Sequence, residues 1–185
     1  MLNPWREIIK TKLSKKNELE TWSGHVDIRL DELTLILSLP EVLAHRGGNV
    51  LEFGCGNGLA AVYFSPLFNQ ITATDIAEVD HKNHAIGLER AQRLINYFDV
   101  KNIKLEAGTG EELDYSNSTQ DLVFSHFVLE HIPNKSKCLN ETFRVLKSGG
   151  HVVMAVPSFC SSLFYPFSFY SELIFKGFNF ILLAN

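Results

Sequence analysis

Residues 49–58 read Asn49-Val50-Leu51-Glu52-Phe53-Gly54-Cys55-Gly56-Asn57-Gly58, and seventeen residues beyond Gly58 stands Asp75. Val50, Leu51 and Phe53 make a short apolar strand, the glycines make a tight turn, and Leu59 opens a helix that runs through Phe64. Glycine admits backbone angles closed to other residues and leaves no side chain between backbone N–H groups and a ligand. A second apolar run, Ile71 to Thr74, ends in Asp75. A carboxylate at the tip of the neighbouring strand accepts hydrogen bonds from both hydroxyls of a ribose. The pairing of turn and carboxylate therefore describes a nucleotide-type ligand site.

Outward from this stretch, the pattern alternates. Upstream, Asp31 to Ala44 is apolar at Leu33, Leu35, Ile36, Leu37, Leu39, Val42 and Leu43, with Pro40 suited to the first turn of a new helix. Gly47-Gly48 ends it. Downstream, Ala85 to Phe98 sets Leu88, Ala91, Leu94, Ile95 and Phe98 on one helical face. Asn102 to Glu106 is a short strand, and Leu122 to Ser125 a continuous apolar one introduced by Asp121. Lys137 to Lys147 forms an amphipathic helix with Leu139, Phe143 and Leu146 inward. Ser148-Gly149-Gly150 reads as its C-cap and turn, and His151 to Val156 as a fifth strand. Strands alternating with helices imply an α/β fold: a Rossmann-like, doubly wound, mostly parallel sheet with helices on both faces. Right-handed crossovers put all five strand ends on one side, and the ligand belongs at the switch point outside them.

The 185 residues suffice for one domain with a full core, and 45% hydrophobic with 21% charged residues is ordinary for a globular chain. A net charge of −4 argues against a backbone-binding nucleic acid protein. Cys55, Cys138 and Cys160 are odd in number, widely spaced and free of any CxxC, so neither a disulfide framework nor a zinc site is expected, and a reducing, cytoplasmic setting is. Cys55 inside the turn reads as a small residue fitting a cramped loop, with a reactive thiol as the alternative. Met1 to Glu20 interleaves Arg6, Lys10, Lys12, Lys15 and Lys16 with Glu7, Glu18 and Glu20; it reads as a surface helix starting near Pro4, not a signal peptide.

The glycine turn separates nucleotide classes. A dinucleotide fingerprint, G-x-G-x-x-G, needs a third glycine where Leu59 stands, and a P-loop needs a Lys-Ser/Thr pair that is absent. Leu51-Glu52-Phe53-Gly54-Cys55-Gly56-Asn57-Gly58 instead resembles motif I of class I S-adenosylmethionine-dependent methyltransferases. Gly108-Thr109-Gly110-Glu111-Glu112-Leu113 is similar to the family's loop after the third strand. Asp121 to Ile132 is similar to its fourth strand and following turn, and Arg144-Val145-Leu146-Lys147-Ser148-Gly149-Gly150 to its approach to the fifth. The resemblance covers about residues 48 to 157 and is nearest to the small-molecule, type 11 methyltransferase domain.

The resemblance implies S-adenosylmethionine as cofactor and methyl transfer to a small metabolite, sugar or lipid-like acceptor. Gly54, Cys55, Gly56 and Gly58 would line the methionine portion, and Glu52 would favour its ammonium group. Asp75 would hold the ribose hydroxyls, with Ile76 on the adenine face, Thr109 and Gly110 at the adenine edge and Ser125 at the sulfonium end. The family usually has aspartate where Thr109 stands; threonine still accepts a hydrogen bond, without charge assistance. A base is needed only for an acceptor that holds its proton, and His126 and His131, with Glu130 behind them, are the candidates. No Asn-Pro-Pro-Tyr, Asp-Pro-Pro-Tyr or Pro-Cys motif directs the chain to adenine, glutamine or cytosine.

Three regions follow: an N-terminal helical region (1–47), the S-adenosylmethionine-binding domain (48–157) and an aromatic-rich tail (158–185). Phe159, Phe164, Phe167, Phe169, Phe175, Phe178 and Phe180 crowd the tail, while Pro166 and Gly177 interrupt any membrane-spanning helix. The tail does not read as the two further strands such a sheet normally adds, so the sheet's last strands are expected to be missing. The tail is then the start of a shortened substrate cap, or an apolar helix that covers the acceptor, meets a second subunit or touches a membrane. The competing functions are an NAD-linked oxidoreductase and a non-catalytic cofactor-binding or interaction module.

Overall fold

A computed structural model describes residues 3–14, 26–76, 87–156 and 180–184, in two compact units, residues 1–44 and 45–185. In the first unit, α1 (Asn3–Ser14) packs on α2 (Val26–Leu37), which is followed by the single turn α3 (Pro40–Leu43). Ile9 and Leu13, one turn apart, are buried, as are Leu30, Leu33, Ile36 and Leu37 at helical spacing. Arg6 to Asp31 (2.6 Å) and Lys10 to Asp27 (2.9 Å) are exposed ion pairs between α1 and α2. Pro40 opens α3, where its missing N–H costs no hydrogen bond.

Among the described residues, the second unit holds a six-stranded sheet in the order β3-β2-β1-β4-β5-β6, with every neighbouring pair parallel. The strands are β1 (Asn49–Phe53), β2 (Gln70–Asp75), β3 (Ile103–Ala107), β4 (Gln120–His126), β5 (Leu146–Val156) and β6 (Phe180–Ala184). Between them run α4 (Leu59–Phe64), α5 (Leu88–Phe98) and α6 (Lys135–Val145). Winding leads from β1 toward β3 and then reverses from β4 outward, so right-handed crossovers put α4 and α5 on one face and α6 on the other. The reversal falls between β1 and β4, the switch point beside which ligands of such sheets bind, outside the strand tips.

The burial pattern explains the largely apolar strands. Val50 to Phe53 and Leu122 to Ser125 are buried on both faces, as parallel central strands require. On the α6 face, Leu51, Phe53, Val123, Val152, Met154 and Val156 join Cys138, Leu139 and Val145 in one core. On the opposite face, Phe124 meets Phe64 of α4 with ring centroids 4.8 Å apart.

Two expectations are corrected. The helix before β5 begins at Lys135 and ends at Val145, and Leu146 to Val156 is one irregular strand. Ser148-Gly149-Gly150 is therefore a bulge rather than a helix cap: β4 advances from Gln120 to Leu122 while β5 advances from Leu146 to His151, and Gly149 takes φ +80° within the excess. The sheet also does not stop at the fifth strand, because Phe180–Ala184 pairs in parallel with Val152–Val156. The remainder of the aromatic tail, with Cys160, lies outside the described residues. Among the described residues no helix is long and apolar enough to cross a membrane.

Candidate functional site

All strand tips face one way, so the turn after β1, Asp75 at the end of β2, the loop after β3 and Ser125 near the end of β4 share one rim. Gly54 and Gly56 carry φ of +71° and +53°, in the left-handed region that side chains avoid. Their surroundings differ. A Cβ on Gly54 would lie 2.3 Å from Val128 Cγ2, so the turn after β4 packs directly on this backbone. Among the described residues, a Cβ on Gly56 would meet nothing within 4 Å. The middle of the turn is open and its edges are packed.

Hydrogen bonds fix the turn. The Cys55 N–H donates to the Thr74 carbonyl (2.9 Å), the Gly58 N–H to the Cys55 carbonyl (2.8 Å) and the Gly56 N–H to Asp75 Oδ2 (2.5 Å). The other Asp75 oxygen accepts the Ile76 N–H at 2.7 Å, which leaves both oxygens with lone pairs to spare. Ile76 is an exposed apolar side chain beside them. The chain returns to Asp75 at Gly87, where a Cβ would stand 3.2 Å from Asp75 Cγ. Nothing in the sequence around Gly87 signals this approach, because it depends on where a separate segment re-enters the fold.

Glu52 is buried beneath the turn. Burial and the Asp75 charge push its carboxyl up to about 8, against the pull of the Ala61 backbone N–H. Cys55 is buried, and desolvation, then Glu52 and Asp75, push its thiol up, away from the thiolate that a reactive cysteine presents. Cys138, in the α6 core, is likewise pushed up to about 12 by burial.

Farther round the rim, Thr109 is exposed and Gly110 is buried. A Cβ on Gly110 would fall 2.8 Å from Cys138 Sγ and 3.0 Å from Phe53 Cδ2, so packing alone accounts for glycine there. A cleft of about 120 Å³ lies beside this loop, lined by Thr74, Glu106, Gly108, Leu113 and Tyr115 among others. The Tyr115 hydroxyl donates to Glu106 across it. Ser125 is fully buried, and its hydroxyl has no protein partner among the described residues. One oxygen of the largely buried Glu130 is in the same condition. His126 lies against the rings of Phe124 and Phe127, whereas the His131 side chain is 79% exposed. The structure thus gathers Glu52, Gly54, Cys55, Gly56, Gly58, Asp75 and Ile76 tightly, with Thr109 and Ser125 spaced along the rim and His131 turned to solvent.

Comparison with known proteins gives this rim a context. Residues 51–154 match the family model described as a methyltransferase domain. The chain is 31% identical over 110 residues to a phosphatidylethanolamine N-methyltransferase of Cereibacter sphaeroides, covering 59% of this chain and 50% of that protein. It is 30% identical over 154 residues to the ubiquinone/menaquinone biosynthesis C-methyltransferase UbiE of Hydrogenovibrio crunogenus, covering 79% and 59%. The chain therefore spans about half to three-fifths of the length of these relatives. A putative S-adenosylmethionine-dependent methyltransferase of Methanococcus maripaludis shares the fold with a TM-score of 0.60 at 20% identity, over 87% of this chain and 69% of its own. A putative sarcosine dimethylglycine methyltransferase of Galdieria sulphuraria aligns with a TM-score of 0.54 at 27% identity, over 71% and 48%.

Proposed function

The chain belongs to the methyltransferase domain family, and from that premise we propose that it binds S-adenosylmethionine and methylates a small-molecule acceptor. One observation carries the reading: Asp75 clasps the Gly56 N–H at 2.5 Å beside a stretch of turn where, among the described residues, a Cβ on Gly56 would have no neighbour within 4 Å. That is an open main-chain cradle with an anionic group at its edge, and an adenosyl amino acid fits its donors and acceptors. Dinucleotide binding is disfavoured because Leu59, where a third glycine would stand, is a buried residue beginning α4.

In this reading Gly54, Cys55, Gly56 and Gly58 line the methionine portion and Glu52 faces its ammonium end. Asp75 accepts from the ribose hydroxyls, Ile76 covers the adenine, Thr109 and Gly110 border it, and the buried Ser125 hydroxyl faces the sulfonium end. When bound, S-adenosylmethionine supplies a methyl group already activated by its sulfonium. The chain's own contribution is then alignment and exclusion of water, which supply much of the acceleration in such displacements. The exposed His131 is poorly placed to hold an acceptor's proton away from solvent; His126, packed on Phe124 and Phe127, is the better base for an O–H or N–H acceptor.

The relatives' names point to lipid amine and quinone-class acceptors, and a small molecule of that kind is the acceptor class we assign. The test is transfer of labelled methyl from S-adenosylmethionine to a panel containing phosphatidylethanolamine vesicles, quinone precursors, sugars and small amines. Label in any of these supports the reading. Tight binding of S-adenosylhomocysteine with no label across the panel would favour a non-catalytic binding module, a reading that the chain's partial coverage of its relatives keeps in view.

A further inference from the structure

We propose that the ammonium group of the incoming cofactor drives a proton off Glu52, so that cofactor binding and proton release are coupled. This rests on the cofactor reading above and adds to it a specific exchange at one carboxyl group. Glu52 is 2% exposed. Its register partners in the flanking strands are Ala73 of β2 and Phe124 of β4, neither of which is charged. From α4, whose one titratable side chain is Tyr63, it receives the Ala61 N–H. The titratable groups that bear on it are the Asp75 carboxylate and the Cys55 thiol. Among the described residues no lysine, arginine or histidine acts on it.

A carboxyl group sealed from water, beside a like charge and without a cation, keeps its proton. The raised titration of Glu52 agrees with that arrangement. An ammonium group seated at the cradle supplies the absent cation. The neutral carboxyl and the ammonium then become a carboxylate–ammonium pair, and one proton leaves to solvent. No bond other than the carboxyl O–H breaks, and no electron moves. The exchange also makes the site selective, since a ligand without the ammonium leaves Glu52 protonated and forgoes the pair.

The experiment is calorimetric titration of the full chain with S-adenosylhomocysteine at about pH 7, in buffers of low and high ionisation enthalpy. Binding should release most of one proton per ligand, and affinity should rise about tenfold between about pH 6 and about pH 7. Glu52→Gln should bind with the same enthalpy in both buffers and lose the pH dependence. Equal enthalpies in both buffers for the wild-type chain would overturn the proposal, as would proton release that persists in Glu52→Gln. Should that variant not fold, the wild-type buffer comparison decides alone. Failure of the ligand to bind at any pH would instead sink the cofactor reading, and this inference with it.

Discussion

Asp75 Oδ2 stands 2.5 Å from the Gly56 backbone nitrogen, so the residue that ends β2 also fixes the middle of the turn after β1. The same carboxylate is thus a structural clasp and the proposed ribose acceptor. Asp75→Ala should cost about 1.5–3 kcal/mol in urea denaturation, the range for a hydrogen bond to a charged group. Hydrogen exchange at the Gly56 amide should quicken. Asp75→Asn, which keeps an acceptor, should recover much of the stability.

Gly54 and Gly56 separate packing from binding. Gly54→Ala drives a methyl group into Val128 at a backbone angle hostile to side chains, and should destabilise the fold by about 2–4 kcal/mol. Gly56→Ala meets no neighbour among the described residues and should cost only about 1 kcal/mol, from its left-handed backbone. Its effect on S-adenosylhomocysteine affinity should be far larger, because the added methyl projects into the cradle. Equal loss of stability in the two variants would mean that the turn is not open at Gly56.

Glu52 gives stability a pH dependence whose sign is fixed. The folded protein holds the Glu52 proton up to about 8, whereas the unfolded chain releases it near the ordinary 4.5. Between those values the folded state binds more protons, so this group's contribution to stability falls as pH rises through the window. Ligand-free Glu52→Gln should show a flatter stability profile from about pH 5 to about pH 8, measured by urea denaturation. A profile that runs parallel to wild type would show that Glu52 is ionised in the fold.

Arg144 ties the loop after β3 to α6. Its guanidinium donates to the carbonyls of Leu113 (2.7 Å) and Tyr115 (2.6 Å), to Asn117 Oδ1 (2.9 Å) and to both oxygens of Glu141. Arg144→Met leaves two backbone carbonyls without their donor and should cost about 2–4 kcal/mol. The Arg144 bond holds the Glu141 carboxyl down at about 2. The pair's contribution is therefore complete above the ordinary 4.5 and lost as pH falls toward 2, which acid titration of wild type against Glu141→Gln checks. A loss under about 0.5 kcal/mol for Arg144→Met would mean that water replaces the fork.

The sequence made the centre of the fold legible because its signals there are local. Val50, Leu51 and Phe53, then Ile71 to Thr74, then Leu122 to Phe124 are short, largely apolar runs bounded by turn residues, the pattern of strands buried in a parallel sheet. The glycine turn and Asp75 were readable for the same reason. Long-range geometry was not. Gly149-Gly150 after a helical pattern reads as a cap, but pairing of Leu146 with Gln120 draws the chain into the sheet three residues earlier. Phe180–Ala184 is apolar within an aromatic background, so no period marks it as a strand. Gly110 matches a cofactor-edge motif in sequence, while its contacts with Phe53 and Cys138 give it a packing reason that no local pattern carries. The approach of Gly87 to Asp75 is of the same kind.

The most direct measurement is calorimetric titration of the wild-type chain with S-adenosylhomocysteine and, separately, with NAD, each repeated on Asp75→Ala. The account predicts saturable one-to-one binding of the homocysteine compound, weakened on the order of 100-fold in Asp75→Ala, and no heat with NAD. Binding of NAD alone, or homocysteine-compound affinity unchanged by the loss of Asp75, would contradict it.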